Sequence, residues 1–188
     1  RCVAGLTVEG EWIRPVSADA DGTLYRQHYL LANGAEAAVL DVIRVHADHP
    51  RPVPHQHENW EMTNQQWEFR AHLDADRART FLCRHVEPGP EILGNLGDRV
   101  SYAHLVDHPP PSSLALVEPA DLQWRVTQAM SGRRQTRARV SVGGTHYDLS
   151  LTDPVWEARL GALAYGSHPR SAAGIPDERI VLDPGIGF

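Results

Sequence analysis

The chain has no lysine, few cysteines and no long hydrophobic run. All 18 of its basic residues are arginine, a bias that we attribute to genome composition. The two cysteines, Cys2 and Cys83, are too few for a disulfide framework or a zinc site of their own, and their hydrophobic neighbours predict buried, reduced thiols. No segment approaches the roughly 18 consecutive apolar residues of a membrane-spanning helix, and no signal-peptide pattern opens the chain. We therefore expect no membrane association and a cytoplasmic location.

Length and charge limit the kind of protein and of partner. With 188 residues, of which 41% are hydrophobic and 22% charged, the chain can bury a core as one large or two small domains. The formal net charge of -6 opposes binding of a polyanion over the whole surface. Any contact with nucleic acid is therefore expected at a local site. Because the chain begins at Arg1 rather than Met, we also expect a residue or a whole segment to be missing upstream.

The first part of the chain carries strand patterns. β-Branched and aromatic residues flank Glu9 and Gly10, which predicts a hairpin over residues 2–17. Residues 37–48 include a nearly continuous apolar run with imperfect alternation, which is typical of a strand covered on both faces.

Two capping patterns predict helices after this region. Thr63, with Gln66 three positions later, forms a capping box ahead of residues 64–73, which are predicted as a helix. Asp74 or Asp76 is predicted to cap a second, short helix.

The second half of the chain returns to strands. Proline and glycine interrupt residues 86–98 and 107–113, which are predicted as loops. Gly143 and Gly144 are predicted to form a tight turn between two strands. The strands predicted in this half cover residues 113–128, 136–144 and 145–153.

Asp153 and Pro154 mark the predicted start of a helix over residues 153–163. Asp153 suits the N-cap and Pro154 the first helical position, so a capping role for Asp153 is favoured over a catalytic one. Residues 165–176 are predicted as a loop and residues 178–183 as a last strand.

Five segments together carry a resemblance to a known family. They are "RCVAG" at residues 1–5, "GEWIRPVS" at 10–17, "LDVIRV" at 40–45, "HQHENW" at 55–60 and "YDLSLTDPVWE" at 147–157. In this order and spacing they resemble the dual OB-containing domain of bacterial proteins, over residues 1–160.

The resemblance implies two five-stranded Greek-key barrels, a fold often used for oligonucleotides. We place the first OB-like barrel, with a helical insertion, at residues 1–106 and the second at residues 107–188. The second barrel is expected to be incomplete, because the chain stops without a further closing strand. The expected fold class is mainly β with a few helices, and the implied role is nucleic-acid recognition.

Four histidines lie within residues 46–57, shortly before Trp60, and raise the question of a metal site. His55 and His57 would share one face of a strand and form a usable ligand pair, with His46 and His49 upstream. No cysteine lies nearby, and the intervening prolines predict an exposed, irregular segment. We expect no metal and no other cofactor.

Six residues of the first two β-regions are candidate contacts to nucleic acid: Trp12, Arg14, Gln56, Glu58, Asn59 and Trp60. Trp12 and Arg14 share a strand face, and this combination stacks bases and pairs phosphates in OB-type grooves. The alternative is structural, with Arg14 and Glu58 in a buried salt bridge and Asn59 satisfying backbone groups. The sequence leaves both interpretations open.

Four arginines lie within the seven residues 133–139. On a strand, Arg133, Arg137 and Arg139 fall on one side, where such a row suits a phosphate backbone, and Arg134 falls on the other. A solvated hairpin arm, or an edge protected against aggregation, has the same pattern. Tyr147 joins this group as a candidate aromatic contact.

Two functions are compatible with these residues. The favoured one is a non-catalytic module that recognises single-stranded or structured nucleic acid, DNA or RNA, through an OB-type groove, beside a protein partner or fused domain. Catalysis is disfavoured because no G-x-S-x-G, phosphate-loop or H-E-x-x-H motif is present. The alternative is a small-ligand or nucleotide pocket, hydrolase-like, built from Arg14, Glu58, Asn59 and Asp153. Exposed aromatic rings beside arginines favour the first, and an enclosed pocket lined by carboxylates favours the second.

Overall fold

The computed structural model describes residues 3–174 of the chain. Within these residues the contacts divide the chain into two compact units. The N-terminal unit comprises residues 3–85 and Ala103–Leu114, and the C-terminal unit comprises Val86–Tyr102 and residues 115–174. Each unit is therefore assembled from two separate stretches of the chain.

The predicted barrel boundary between residues 106 and 107 lies inside the second segment of the N-terminal unit. The description of each unit as one OB-like barrel with these bounds stays a prediction. The expected fold class is confirmed, since strands predominate over three α-helices in the described residues.

The N-terminal unit contains two sheets. Its strands are β1 (Gly5–Leu6), β2 (Trp12–Val16), β3 (Asp41–Arg44), β4 (Ala47–Pro50), β5 (Asn59–Met62) and β6 (Glu68–His72), and its helices are α1 (Ala75–Leu82) and α2 (Tyr102–Asp107). One sheet has the order β1-β2-β5-β4, and the other pairs β3 with β6. The predicted opening hairpin is confirmed, with β1 and β2 antiparallel and Gly10 at a φ of 89° in the turn.

The helix predicted over residues 64–73 is wrong, because Glu68–His72 form strand β6 instead. Trp67 lies just before β6 and packs in a buried cluster that includes Tyr29 and Leu31. Strand β6 then pairs with β3, so tertiary burial and strand pairing override the local capping pattern. The next helix agrees with the prediction: Asp74 is the N-cap of α1, and its carboxylate accepts a hydrogen bond from the backbone N–H of Arg77 at 2.9 Å.

The single buried strand predicted over residues 37–48 is also corrected. This segment forms β3 and β4, which are half-buried to exposed. The division has a clear cause, since β3 pairs with β6 whereas β4 pairs with β5 in the other sheet.

The C-terminal unit is built around one four-stranded sheet. Its elements are β7 (Val86–Glu87), β8 (Leu116–Val117), β9 (Asp121–Gln128), β10 (Arg134–Val142), β11 (Thr145–Ser150), α3 (Pro154–Leu160) and β12 (Gly166–Pro169). The sheet has the order β11-β10-β9-β12, and β7 pairs with β8. The predicted glycine turn is confirmed, because Val142 pairs with Thr145 across Gly143 and Gly144.

One face of this sheet builds the core of the unit. Alternate residues of β9 and β10, including Trp124 and Val140, are buried and pack with Leu160 of α3. Because side chains alternate along each strand, the opposite face of β9, β10 and β11 is turned away from this core. The residues of this opposite face are mostly polar or charged.

Four further sequence expectations need correction or fall outside the described residues. The loop predicted over residues 165–176 contains strand β12, which pairs with β9 although its Gly, Ser, His and Pro residues have low strand propensity. Cys83 is exposed and not buried. Cys2 and the strand predicted at residues 178–183 lie outside the described residues.

In the part that is described, no helix has the length and apolar character needed to cross a membrane.

Candidate functional site

A buried polar cluster lies in the N-terminal unit and consists of Arg14, Glu58 and Ser113. The guanidinium of Arg14 lies 3.3 Å from the Glu58 carboxylate and donates a hydrogen bond to Ser113 Oγ at 2.6 Å. Ser113 donates to both carboxylate oxygens of Glu58, from its backbone N–H at 3.2 Å and from its hydroxyl. Only 11% of the Arg14 side chain and 3% of the Glu58 side chain are exposed.

This geometry matches the structural interpretation of Arg14 and Glu58. Each charge has its counter-charge, and the Glu58 carboxylate accepts two further hydrogen bonds, as a buried ion pair requires. The cluster also ties the segment containing Ser113 to strand β2, which is 99 residues away from it in the chain. The contribution of Ser113 was missed by sequence reasoning, because no local pattern distinguishes it from its neighbour Ser112.

Asn59 and Gln56 extend the polar cluster. Asn59 is buried, lies opposite Arg14 in the parallel pairing of β2 and β5, and donates from its amide to Gln56 Oε1 at 3.2 Å. Arg14 Nε and Asn59 Oδ1 have no hydrogen-bond partner among the described residues. Beside them, burial and the positive charge of Arg14 lower the pKa of His55, against the opposing effect of Glu58.

The two candidate tryptophans of this unit are half-buried. Trp12 shares its strand face with Arg14, as the alternation predicts, whereas Trp60 lies opposite Pro15 on the next strand. Both residues thus keep partial exposure, but the Arg14 guanidinium is already engaged with Glu58 and Ser113.

The histidine-rich stretch does not form the predicted strand pair. His55 and His57 lie in turns, and His57 Nε2 lies 3.1 Å from the carbonyl oxygen of Pro54. A different set, Asp48, His49 and Glu61, brings three potential ligand atoms within 4.8 Å of one another. Sequence reasoning missed this set because Glu61 reaches His49 only through the pairing of β4 with β5.

The arginine-rich segment is divided by the start of strand β10. Arg133 lies in the turn before the strand, and Arg137 and Arg139 lie on the sheet face opposite the core. Arg134 points to the other side, where its guanidinium donates to the carbonyl oxygens of Leu160 and Leu163. The predicted separation of Arg134 from Arg137 and Arg139 is therefore confirmed, whereas Arg133 lies outside the strand and, contrary to the prediction, does not share their face.

Three arginines converge on Asp148 of strand β11, and we call this set the arginine face: Arg125, Arg137 and Arg139. Their guanidinium nitrogens lie 3.1, 2.6 and 3.4 Å, respectively, from the Asp148 carboxylate. Arg137 also contacts Asp98 at 2.9 Å and donates to the backbone carbonyl of Asp148. Although burial opposes the shift, hydrogen bonds and positive charge from these arginines lower the pKa of Asp148.

The arginines of this face differ in exposure. The Arg125 and Arg139 side chains are 39% and 45% exposed, whereas Arg137 is only 13% exposed. Sequence reasoning missed Arg125, although the pattern of the two flanking strands contains a signal for it. Its position opposite Arg137 follows if the two strands that flank Gly132 are aligned as an antiparallel hairpin.

Tyr147 is not a surface residue, which corrects its place among the candidate contacts. The ring is buried in the core of the C-terminal unit. Its hydroxyl donates to the carbonyl oxygen of Pro90 or Asn95, at 2.5 and 2.9 Å, and accepts from the backbone N–H of Ile92 at 3.2 Å. Tyr147 therefore anchors a loop.

Asp153 acts as a helix cap. Its carboxylate accepts a hydrogen bond from the backbone N–H of Trp156 at 2.9 Å, and Pro154 follows it at the start of α3. It belongs to the C-terminal unit, whereas the other three residues of the alternative pocket, Arg14, Glu58 and Asn59, belong to the N-terminal unit.

Comparison with known proteins agrees with the two-unit, β-rich architecture. The family model described as dual OB-containing domain matches residues 1–175. No curated protein and no solved structure matches the chain. Since the match spans most of the 188 residues, the chain belongs to the dual OB-containing domain family.

Proposed function

We propose that this chain is a non-catalytic module that binds single-stranded nucleic acid through the arginine face of its C-terminal unit. OB-type folds commonly bind oligonucleotides on the face of their central strands. The observation that carries the proposal is the convergence of three guanidinium groups on that part of the sheet.

Charge supports this choice of surface. The chain as a whole has a formal net charge of -6, so it does not attract polyanions everywhere. Around Asp148, three arginines are paired with only two carboxylates, those of Asp148 and Asp98. This leaves a local excess of positive charge. A local positive surface is what a net-acidic protein needs to contact a phosphate backbone.

The exposed members of the face are the proposed phosphate contacts. Arg125 and Arg139 lie on neighbouring strands and have the more exposed side chains of the three, and exposed Arg133 extends the set at the turn. Arg137 is mostly buried in its ion pairs, so we assign it the role of holding Asp148 and Asp98 in place.

The candidates in the N-terminal unit divide into two groups. Arg14, Glu58 and Asn59 are buried, which supports a structural role for them. Half-buried Trp12, Trp60 and Gln56 keep accessible surface, so base stacking on the two tryptophans is proposed as a separate contact of the N-terminal unit.

A salt titration tests the proposed contacts. For single strands, the slope of log affinity against log salt is about 0.7 per phosphate neutralised, so Arg125→Ala with Arg139→Ala should flatten it by about 1.4. The control is Arg26→Ala with Arg79→Ala, two exposed arginines of the N-terminal unit, which should leave the slope unchanged. Fluorescence anisotropy with labelled oligothymidylate and oligouridylate measures both slopes, and circular dichroism verifies folding.

Two results would contradict the proposal. One is a parent protein that binds neither oligonucleotide at about 50 mM salt, where such contacts are strong. The other is an equal change of slope in the control. In the same titration, Trp12→Ala should weaken binding by roughly 1–3 kcal/mol at an unchanged slope if the ring stacks on a base.

A further inference from the structure

The carboxylate of Asp148 occupies the centre of the arginine face. It accepts hydrogen bonds from Arg137 Nε at 2.6 Å, Arg125 Nη1 at 3.1 Å and Arg139 Nε at 3.4 Å. A carboxylate and a phosphate make similar charge-assisted hydrogen bonds with guanidinium groups. Asp148 is thus placed where an anionic oxygen of a ligand would meet the same donors.

We infer that Asp148 is an internal competitor of the ligand, holding the guanidinium groups of Arg125 and Arg139 until a phosphodiester group replaces it. This inference rests on the proposed function, because it specifies how the same face binds and releases a strand. Binding then exchanges an intramolecular anion for a phosphate, with Asp148 remaining paired to Arg137.

The geometry indicates which contacts exchange. Arg139 has the longest of the three contacts and the most exposed side chain, and Arg125 is the next most exposed. Exposed ion pairs contribute little to stability, so these two arginines are released at small cost. Arg137 makes the shortest contact and is mostly buried, and it also contacts Asp98. The carboxylate therefore keeps a partner while its neighbours turn to the ligand.

The competitor has a functional consequence. An isolated anion gains little by displacing a carboxylate that is already in place, whereas a strand gains through several phosphates at once. Asp148 would therefore lower the affinity for every anion but favour polyanions over single phosphate groups. It would also make release of the strand easier.

The decisive variant is Asp148→Asn, which keeps the size of the side chain and removes its charge. We expect it to bind labelled oligothymidylate about tenfold more tightly than the parent at low salt, with the gap narrowing as salt screens the face. The matched control is Glu157→Gln, which removes the same charge from the exposed surface of α3 and should stay within about twofold of the parent. Equal affinities of D148N and E157Q would overturn the inference.

A second measurement needs no nucleic acid. In D148N, inorganic phosphate should supply the negative charge that Asp148 no longer provides to the exposed arginines. The melting temperature of D148N should therefore be higher in sodium phosphate than in sodium chloride at equal ionic strength and pH. The parent and E157Q should show a smaller difference. If the parent, D148N and E157Q all fail to bind an oligonucleotide, the proposed function is wrong. The comparison of melting temperatures then tests by itself whether Asp148 competes with an anion for the exposed arginines. A D148N protein without the phosphate effect would then overturn the inference.

A further variant covers the case in which D148N does not fold. Asp98→Asn removes the other carboxylate that contacts Arg137, from a more exposed position. It should draw Asp148 towards Arg137, release the exposed arginines and tighten oligothymidylate binding by a smaller factor. An affinity equal to that of E157Q would count against the inference.

Discussion

The Glu58 carboxylate lies 3.3 Å from the Arg14 guanidinium, and both side chains are largely withdrawn from water. Replacing Glu58 by Gln leaves the Arg14 charge buried without a counter-charge, which should cost about 3–5 kcal/mol of unfolding free energy. Urea denaturation measures the loss. Arg26→Gln removes one partner of the exposed pair with Glu36 and should cost less than about 1 kcal/mol. A stable E58Q protein that no longer binds oligonucleotide would instead place Glu58 in a ligand site.

Asp153→Ala should reduce stability rather than binding. The substitution removes the hydrogen bond to the backbone of Trp156 at the start of α3, which should cost roughly 0.5–2 kcal/mol. Thermal unfolding detects this as a lower melting temperature. Asp153→Asn retains a good capping side chain and should lie close to the parent. Loss of binding in both variants at unchanged stability would show that the carboxylate serves a site.

Arg137 and Arg139 should behave differently although they lie two positions apart on one strand face. Arg137→Ala removes hydrogen bonds to two carboxylates from a mostly buried side chain and should cost roughly 1.5–3 kcal/mol of stability. Arg139→Ala changes an exposed side chain and should stay within about 0.5 kcal/mol. Chemical denaturation of the two variants gives the comparison. Equal losses would mean that exposure does not distinguish their roles.

His55 should make the protein less stable on mild acidification. Burial and the positive charge of Arg14 lower its pKa in the folded state below the ordinary value of 6.5. As the pH falls through 6.5, the unfolded chain therefore takes up a proton before the folded protein does, and stability declines until the folded-state pKa is passed. His55→Gln should flatten this part of the stability profile, measured by denaturation at a series of pH values. An unchanged profile would contradict the shift.

Purified protein should carry no stoichiometric zinc, despite the proximity of Asp48, His49 and Glu61. Arg51 Nη1 lies 3.4 Å from the Glu61 carboxylate and competes with a cation for it. Elemental analysis provides the measurement. One equivalent of zinc that disappears in His49→Gln would reverse this expectation, and one that disappears on replacing His55 and His57 would restore the histidine pair as ligands.

Local sequence patterns were sufficient to predict structure where residues close together in the chain supply the stabilising contacts. The hairpin around Gly10, the cap at Asp74 and the cap at Asp153 each depend on residues only a few positions apart. The turn and the two helix caps can therefore be predicted from the sequence. The alternation along β10 likewise separates Arg134 from Arg137 without knowledge of any partner strand.

Long-range pairing decided what local patterns could not. Residues after Thr63 became a strand because Trp67 is buried in a cluster with residues more than 30 positions earlier. The candidate site changed for the same reason, since Asp148 meets Arg125 only across three strands of a folded sheet. The amino-acid order alone determined that arginines would alternate with core residues. Tertiary structure decided which carboxylate they surround, because that depends on strand register and not on chain proximity.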